Sequence, residues 1–364
     1  MHPSFTERGF LPERDPARSF APGSELSVLD QIGRDLPSRL EDSNFRHYVR
    51  RLRIPEWPED RLREETLPEL RLYYLRLGFL ASAYINQVGP PPANTLLHNV
   101  AVPLCRACAL LGRPPILSYD GYALYNWKRF DASGPVALGN LDTLQNFVHR
   151  YDEHWFILVH VEIEAIGAQV LAAIDRAARA VEVGKRAEVG LALREMASAV
   201  WQQVAVLRRI PEKMDPALYY RTFRPYIRFF ENVVYEGVTL TPMNFRGETG
   251  AQSSLMPALI AFMKIPHRQS ALTDHLAEMR RFMPLEHRQV IAELEALPPV
   301  RDLADPQAYN EVLEAMATFR EVHYTWALEY VNRWVDDPRG TGGTPYMVWL
   351  RQLIDETRLH KLPA

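Results

Sequence analysis

The sequence predicts a mainly α-helical protein organised as two domains. Three observations carry that reading. Apolar residues recur at three- and four-residue spacing through most long segments. Strand-like alternation is confined to Val233-Val234-Tyr235. A polar, glycine-containing run from Asp131 to Asn140 interrupts the helical pattern and marks the best boundary. With 364 residues, the chain has room for two domains. Its 47% apolar and 24% charged residues are ordinary for a globular protein, which argues against disorder and fibrous classes.

Residues 1–24 carry Pro3, Pro12, Pro16 and Pro22 and read as an extended arm over the surface. Periodicity begins near Leu26 and is strong from Thr66 to Gln87, where Gly89-Pro90-Pro91-Pro92 stops it. A second helix, Val100–Leu111, ends at Gly112-Arg113-Pro114-Pro115. From Ile116 to Asn126 the pattern is aromatic and irregular, and periodicity does not separate helix from loop there. Beyond the boundary helices are expected over Leu141–Glu182, Lys185–Arg209, Pro216–Val234, Ser254–Ile265, Ser270–Met283 and Pro306–Val335. The expected division is an arm over 1–24, a small helical domain over 25–135 and a large helical domain over 136–364.

Lys and Arg number 42 against 45 Asp and Glu, a net charge of −3, so there is no electrostatic footprint for nucleic acid. No run approaches the ~18 uninterrupted apolar residues of a membrane span. The amino terminus lacks an apolar export segment, so a cytoplasmic location is expected. Two cysteines make no disulfide framework, and Cys105-Arg-Ala-Cys108 has no second pair to complete a zinc site. They read as small hydrophobes one helical turn apart. No nucleophile elbow, zincin pair, P-loop or EF-hand is present. His160 and Glu162 sit two apart, on nearly opposite sides of a helix, and cannot share a metal.

Four features could carry chemistry. A helix opening at Asp305-Pro306 presents Met316, Phe319, His323, Trp326, Ala327 and Tyr330 on one face. His323 is then either a satisfied core histidine or an axial haem ligand with Phe319 and Trp326 against the macrocycle. Phe156, His160 and Glu164 stack at i, i+4 and i+8, placing a second imidazole between a ring and a carboxylate. Arg224 lies among Tyr219, Tyr220 and Tyr226, as a structural stack or a clamp for a carboxylate. Arg339-Gly-Thr-Gly-Gly-Thr344 is a linker or a mobile lid.

Taken in order, several segments resemble the indoleamine 2,3-dioxygenase family within the tryptophan-dioxygenase superfamily. They are Asn99-Val-Ala-Val-Pro103, Pro114-Pro-Ile-Leu117, Asn126-Trp-Lys128, Phe156–Glu164 and Gln252-Ser-Ser254. Met279–Pro284 with His287-Arg288, Arg320-x-x-His323 and Gly340–Thr344 complete the set. The resemblance runs from about residue 26 to the end of the chain and points to a bacterial-type member.

It implies a two-domain helical fold holding haem b and inserting both atoms of O2 across the indole 2,3-bond of L-tryptophan, or a related indole, to give N-formylkynurenine. An electron donor would keep the iron ferrous. His323 matches the proximal ligand, with Phe319 and Ser253 also on the cofactor. Arg224 matches the carboxylate clamp, with Tyr219 and Tyr220 beside it. Tyr119 and Tyr122 match the lining of the distal pocket, Phe156 the ring packed on the indole, and Gly250 a further substrate contact. Thr341 matches the loop residue meeting the ammonium and carboxylate.

Two departures stand out. His160 replaces the serine of the animal indoleamine enzymes and resembles the histidine of the tryptophan 2,3-dioxygenase branch that accepts the indole N–H. Ile260 stands where the animal enzymes pair an aspartate with the arginine matching Arg320, which puts tuning behind His323 in question. The alternatives are a haem enzyme of the same superfamily that monooxygenates or rearranges a substituted tryptophan or other indole, and a non-enzymatic haem sensor or carrier.

Overall fold

The computed structural model describes residues 3–58, 61, 63–334 and 345–363. Helices dominate, as expected: α1 (Pro3–Arg8), α2 (Val28–Leu40), α3 (Phe45–Arg51), α4 (Leu67–Ile85) and α5 (His98–Leu110) come first. They are followed by α6 (Tyr151–Glu182), α7 (Arg186–Leu207), the single turn α8 (Pro216–Leu218), α9 (Leu255–Met263), α10 (Ala271–Arg280), α11 (Leu285–Ala296), α12 (Pro306–Tyr330) and α13 (Tyr346–Leu359).

Among the described residues five short strands accompany them: β1 (Thr95–Leu96), β2 (Lys128–Arg129), β3 (Leu141–Asp142), β4 (Phe230–Tyr235) and β5 (Met243–Phe245). β4 pairs in parallel with β1, Thr95 opposite Val234, and antiparallel with β5. β2 and β3 form a separate antiparallel pair.

Burial divides the interior into two apolar clusters. One is built on α2, α4, α5 and the aromatic stretch Ile116–Trp127, and takes Tyr226–Tyr235 from far along the chain. The other is built on α6, α7, α9, α11 and α12. Helix α6 serves both, with Ile157, Leu158 and Val161 in the first and Val159, Ile163 and Val170 in the second. Its 32 residues span about 48 Å. It is apolar and long enough to cross a membrane, yet two-thirds of that stretch (67%) is buried in protein, where it acts as the central post of the fold.

Three sequence expectations need correction. The amino-terminal segment is not simply extended. α1 ends at Gly9 (φ +65°), where a Cβ would lie 2.5 Å from the Glu164 carbonyl oxygen, so the arm docks directly on α6. Phe10 is buried in the second cluster.

α6 starts at Tyr151 rather than Leu141. Leu141–Asp142 is held by strand pairing, and Glu153 in the first helical turn accepts the Phe147 and Val148 N–H groups, shaping the preceding loop.

Pro216–Val234 is not one helix. Asp215 caps α8 by accepting the Leu218 N–H at 2.9 Å, the chain widens into a π-turn over Tyr219–Phe223, and Pro225 cannot donate onward. The β-branched pair Val233-Val234 then joins a strand. The undecided stretch 116–126 likewise contains a π-turn, Asp120–Leu124.

Candidate active site

α12 is regular because its start is well capped: Asp305 accepts the Ala308 N–H at 2.9 Å and Pro306 occupies the first turn. Met316, Ala327 and Tyr330 of the predicted stripe are buried, and Tyr330 donates its hydroxyl to the Met214 carbonyl at 2.8 Å. Trp326 is anchored through Nε1–H to the Leu207 carbonyl at 3.1 Å.

His323 behaves differently from its neighbours. Its side chain meets open space, yet desolvation, with the His160 ring contributing, drives its pKa down to about 4. The ring is reachable from its open side yet has enough protein around it to be desolvated. Among the described residues no hydrogen bond reaches this ring. Phe319, one turn earlier, is half-buried against the second cluster.

Across the gap, α6 presents Phe156, His160 and Glu164 on one face. The Phe156 and His160 rings lie 4.6 Å apart, and Tyr119 meets His160 edge-on at 6.1 Å. His160 Nδ1 is 2.7 Å from the Phe156 carbonyl. A carbonyl can only accept, so Nδ1 carries the proton, and Nε2 is an acceptor while the ring is neutral. Burial lowers the pKa of the ring and favours that neutral form.

The π-turn over 120–124 brings in the next wall. Tyr119 donates its hydroxyl to Glu164 at 2.9 Å, and Ser253 donates to the same oxygen at 2.6 Å. The carboxyl pKa is raised by burial, against both hydroxyls. Tyr122 donates to Glu153 at 3.2 Å and lies 6.3 Å from Phe156.

The second π-turn supplies Tyr219, whose ring is 5.6 Å from Phe156, and Arg224, whose guanidinium covers the Tyr220 ring at 5.1 Å. Arg224 also bonds the Tyr219 hydroxyl, so its cation is held at the edge of the aromatic cage.

The fold thus brings together Tyr119, Tyr122, Phe156, His160, Tyr219, Tyr220, Arg224 and Ser253, and His160 in this group acts electrostatically on His323. Gly250 opens a short 3₁₀ turn and borders open space without contributing a side chain. Thr341 and the rest of its glycine-rich loop lie outside the described residues.

Two residues near this cage were not found by sequence reasoning. Tyr346, at the start of α13, acts electrostatically on Tyr219 and is itself influenced by Arg224. Glu248 is buried beside Tyr119, Tyr122 and Tyr219 and influences all three hydroxyls. Neither belongs to a periodic stripe; the only available signal was Glu248's place between Gly247 and Gly250.

A family model described as indoleamine 2,3-dioxygenase matches residues 4–334. The chain belongs to the indoleamine 2,3-dioxygenase family. It is 31% identical over 358 residues to indoleamine 2,3-dioxygenase 1 of Mus musculus, covering 90% of this chain and 87% of the relative. To the Rattus norvegicus protein of the same name it is 30% identical over 359 residues, with the same coverage of 90% and 87%. A 6-hydroxytryptophan 2,3-dioxygenase of Fusarium equiseti is 28% identical over 348 residues, covering 91% and 84%.

Indoleamine 2,3-dioxygenases are haem-dependent enzymes, and the residues present fit that cofactor. The His323 ring is kept neutral by desolvation and has no hydrogen-bond partner among the described residues, so its nitrogen is free of competing donors and could ligate haem iron, with Phe319 one turn away as apolar surface.

Arg320, one turn before His323, is buried, and desolvation lowers its pKa to about 10. Its Nη1 donates to the Leu353 carbonyl at 3.0 Å and to the Thr357 hydroxyl, with Glu356 adding charge support. This arginine is thus held by α13. The two cysteines carry thiols raised by burial to about 11 for Cys105 and about 12 for Cys108, and no metal-binding cluster occurs among the described residues.

Proposed function

We propose that this dioxygenase acts on L-tryptophan or a closely related indole amino acid, adding both atoms of O2 across the C2–C3 bond to give an N-formylkynurenine product. The observation that carries the reading is the pairing of an aromatic cage with a cation at its edge: Phe156, Tyr119 and Tyr122 for a flat ring, Arg224 for a carboxylate. His323 would hold the iron of haem b, with Phe319 and Ser253 nearby, and the bound haem supplies the dioxygen chemistry.

The chain's own residues do the rest. Burying an indole of ~200 Å² contributes about 5 kcal/mol but does not choose which edge of the ring faces the iron. A charge-assisted pair with Arg224, about 1.5–3 kcal/mol, fixes that orientation. The Nε2 lone pair of His160 accepts the indole N–H and positions it; no protein base is needed to remove the proton. Tyr219 and Tyr220 keep Arg224 in place, and Thr341 completes the recognition of the amino-acid end. Both atoms of O2 enter the product, so an electron donor serves only to keep the iron ferrous. The proposed setting is the cytoplasm, in tryptophan breakdown.

The test is an absorption spectrum of the purified protein before and after adding L-tryptophan under reducing, aerobic conditions, with product mass measured in parallel. A Soret band and a product heavier by two oxygen atoms are expected. A colourless protein after reconstitution would end the haem assignment, and a gain of one oxygen would move the chemistry to monooxygenation. The 6-hydroxytryptophan specificity named for the Fusarium relative gives a second reading, a ring-substituted tryptophan, which a substrate panel separates by kcat/KM.

A further inference from the structure

Tyr119 is fixed at both ends. Its backbone N–H donates to Gln252 Oε1 at 2.9 Å, and its hydroxyl donates to Glu164 Oε1 at 2.9 Å. The two holders are themselves joined. Ser253, next to Gln252, donates its hydroxyl to the same Glu164 oxygen at 2.6 Å and accepts the Leu255 N–H at 3.3 Å. Gln252 donates to the Gly247 carbonyl at 2.9 Å. A Cβ on Gly247 would fall 2.4 Å from the Ile227 carbonyl oxygen, so that segment lies flush against residues 227–229. The Glu164 backbone is braced from the other side, since a Cβ on Gly9 would fall 2.5 Å from its carbonyl oxygen and the amino-terminal arm therefore rests on α6 at this residue. Glu164 is 1% exposed, and its second carboxyl oxygen is buried without a hydrogen-bond partner among the described residues.

A buried carboxyl with one oxygen unpaired costs stability. What the arrangement gives in return is a ring that cannot turn, because its main chain and its hydroxyl are held by different elements. That ring stands edge-on to His160, 6.1 Å away at 75°, and Glu164 lies one turn beyond His160 on the same helix. We infer that Glu164 is a positioning residue that clamps the Tyr119 ring against His160, so that this wall of the cage is in place before a substrate arrives. The inference deepens the reading of the cage as the indole site and rests on it. A side chain already held loses no freedom on binding, whereas a free one weakens binding several-fold. One carboxyl oxygen accepts both hydroxyls, so the clamp needs an acceptor at that point rather than a charge. Glutamine supplies one and leucine does not.

The experiment compares wild-type protein, E164L, E164Q, Y119F and the E164L/Y119F double variant, all haem-loaded, by calorimetric titration with L-tryptophan and by turnover. E164L should bind tryptophan ~3- to 10-fold more weakly and raise KM alike, with kcat within ~3-fold, while E164Q stays within ~2-fold of wild type throughout. Y119F should weaken binding as E164L does, and E164L should add no more than ~2-fold in the Y119F background, since the hydroxyl it acts through is already gone. Fluorine magnetic resonance of protein labelled with fluorotyrosine, in the diamagnetic carbon monoxide complex of the reduced form, reads the clamp without substrate. The signal missing from Y119F belongs to residue 119; it should be shifted or broadened in E164L and kept in E164Q. An unchanged signal and affinity in E164L, or a full E164L effect in the Y119F background, would overturn the inference. Should E164L not fold, wild-type affinity in Y119F would overturn it equally. Failure of the wild-type protein to bind tryptophan would remove the substrate reading, and the fluorine signal would still decide whether Glu164 holds Tyr119.

Discussion

The two faces of the candidate site are built in opposite ways. On one side a single regular helix, α12, supplies His323, Phe319 and Arg320. On the other, Tyr119 and Tyr122 come from one π-turn, Tyr219 and Arg224 from another, Phe156 and His160 from α6, and Glu248 and Ser253 from an irregular loop. Holding a symmetrical disc by one bond to its centre needs one side chain on a stiff support. Orienting an asymmetric substrate needs groups converging from several directions, which a single helix cannot offer. Both π-turns fit this logic, since widening the helical ladder redirects the side chains that follow.

The largest effect expected is on the helical face. His323→Ala removes the only imidazole proposed for the iron; the variant should purify with little or no functional haem and lose at least ~10³-fold in kcat/KM. Full haem content with unchanged turnover would break the division of labour between the faces. On the opposite face, Arg224→Ala should keep its haem and lose ~2–4 kcal/mol of transition-state stabilisation for tryptophan, roughly 30- to 1000-fold in kcat/KM. Near-normal kcat/KM would remove Arg224 from substrate recognition. The contrast between a variant that loses cofactor and one that loses only substrate handling is the sharpest test of the comparison.

That contrast also governs what the sequence made legible. α12 was readable because its cap, stripe and period all agree, and a lone imidazole in an apolar stripe is a visible exception. The α6 triad was readable for the same reason, since i, i+4, i+8 spacing survives in any regular helix. The π-turns defeat periodicity: Ile116–Asn126 has no clear period, and Pro216–Val234 reads as helix because Tyr, Phe and Val at those spacings fit a helical face. Pro225 and the β-branched pair at 233–234 were the signals against it. Glu248 was invisible, since its burial depends on Gly247 lying against a segment some twenty residues earlier and on Gln252 reaching Tyr119. The ordered motifs of the family, rather than any periodicity, brought Arg224, Tyr219 and Ser253 into one picture.

The support behind His323 gives a smaller, structural test. Arg320 is buried and depends on α13, through the Leu353 carbonyl and the Thr357 hydroxyl. Thr357→Val leaves the guanidinium with the carbonyl alone and should cost ~1–3 kcal/mol of stability, read as a lower midpoint in urea unfolding with an unchanged slope. A shift equivalent to less than ~0.5 kcal/mol would mean that Glu356 and the carbonyl suffice. α13 would then matter less to the helical face than its hydrogen bonds suggest.

The finest test concerns His160, the one imidazole on the irregular face. With Nδ1–H bonded to the Phe156 carbonyl, the proposed partner for the indole N–H is Nε2, and only the neutral ring offers a lone pair there. Burial lowers this pKa from the ordinary 6.5, so the acceptor form holds from alkaline pH down through 6.5 and is lost only as pH falls through the depressed value. His160→Ser should therefore reduce the preference for tryptophan over 1-methyltryptophan by about 1 kcal/mol, roughly fivefold, because it removes one hydrogen bond to the free N–H. The acid limb of kcat/KM assigned to His160 should disappear in the same variant while the neutral plateau changes only modestly. If the ratio between the two substrates is unchanged, the ring packs against Phe156 without reading the indole, and selectivity on this face rests on the charged end of the substrate alone.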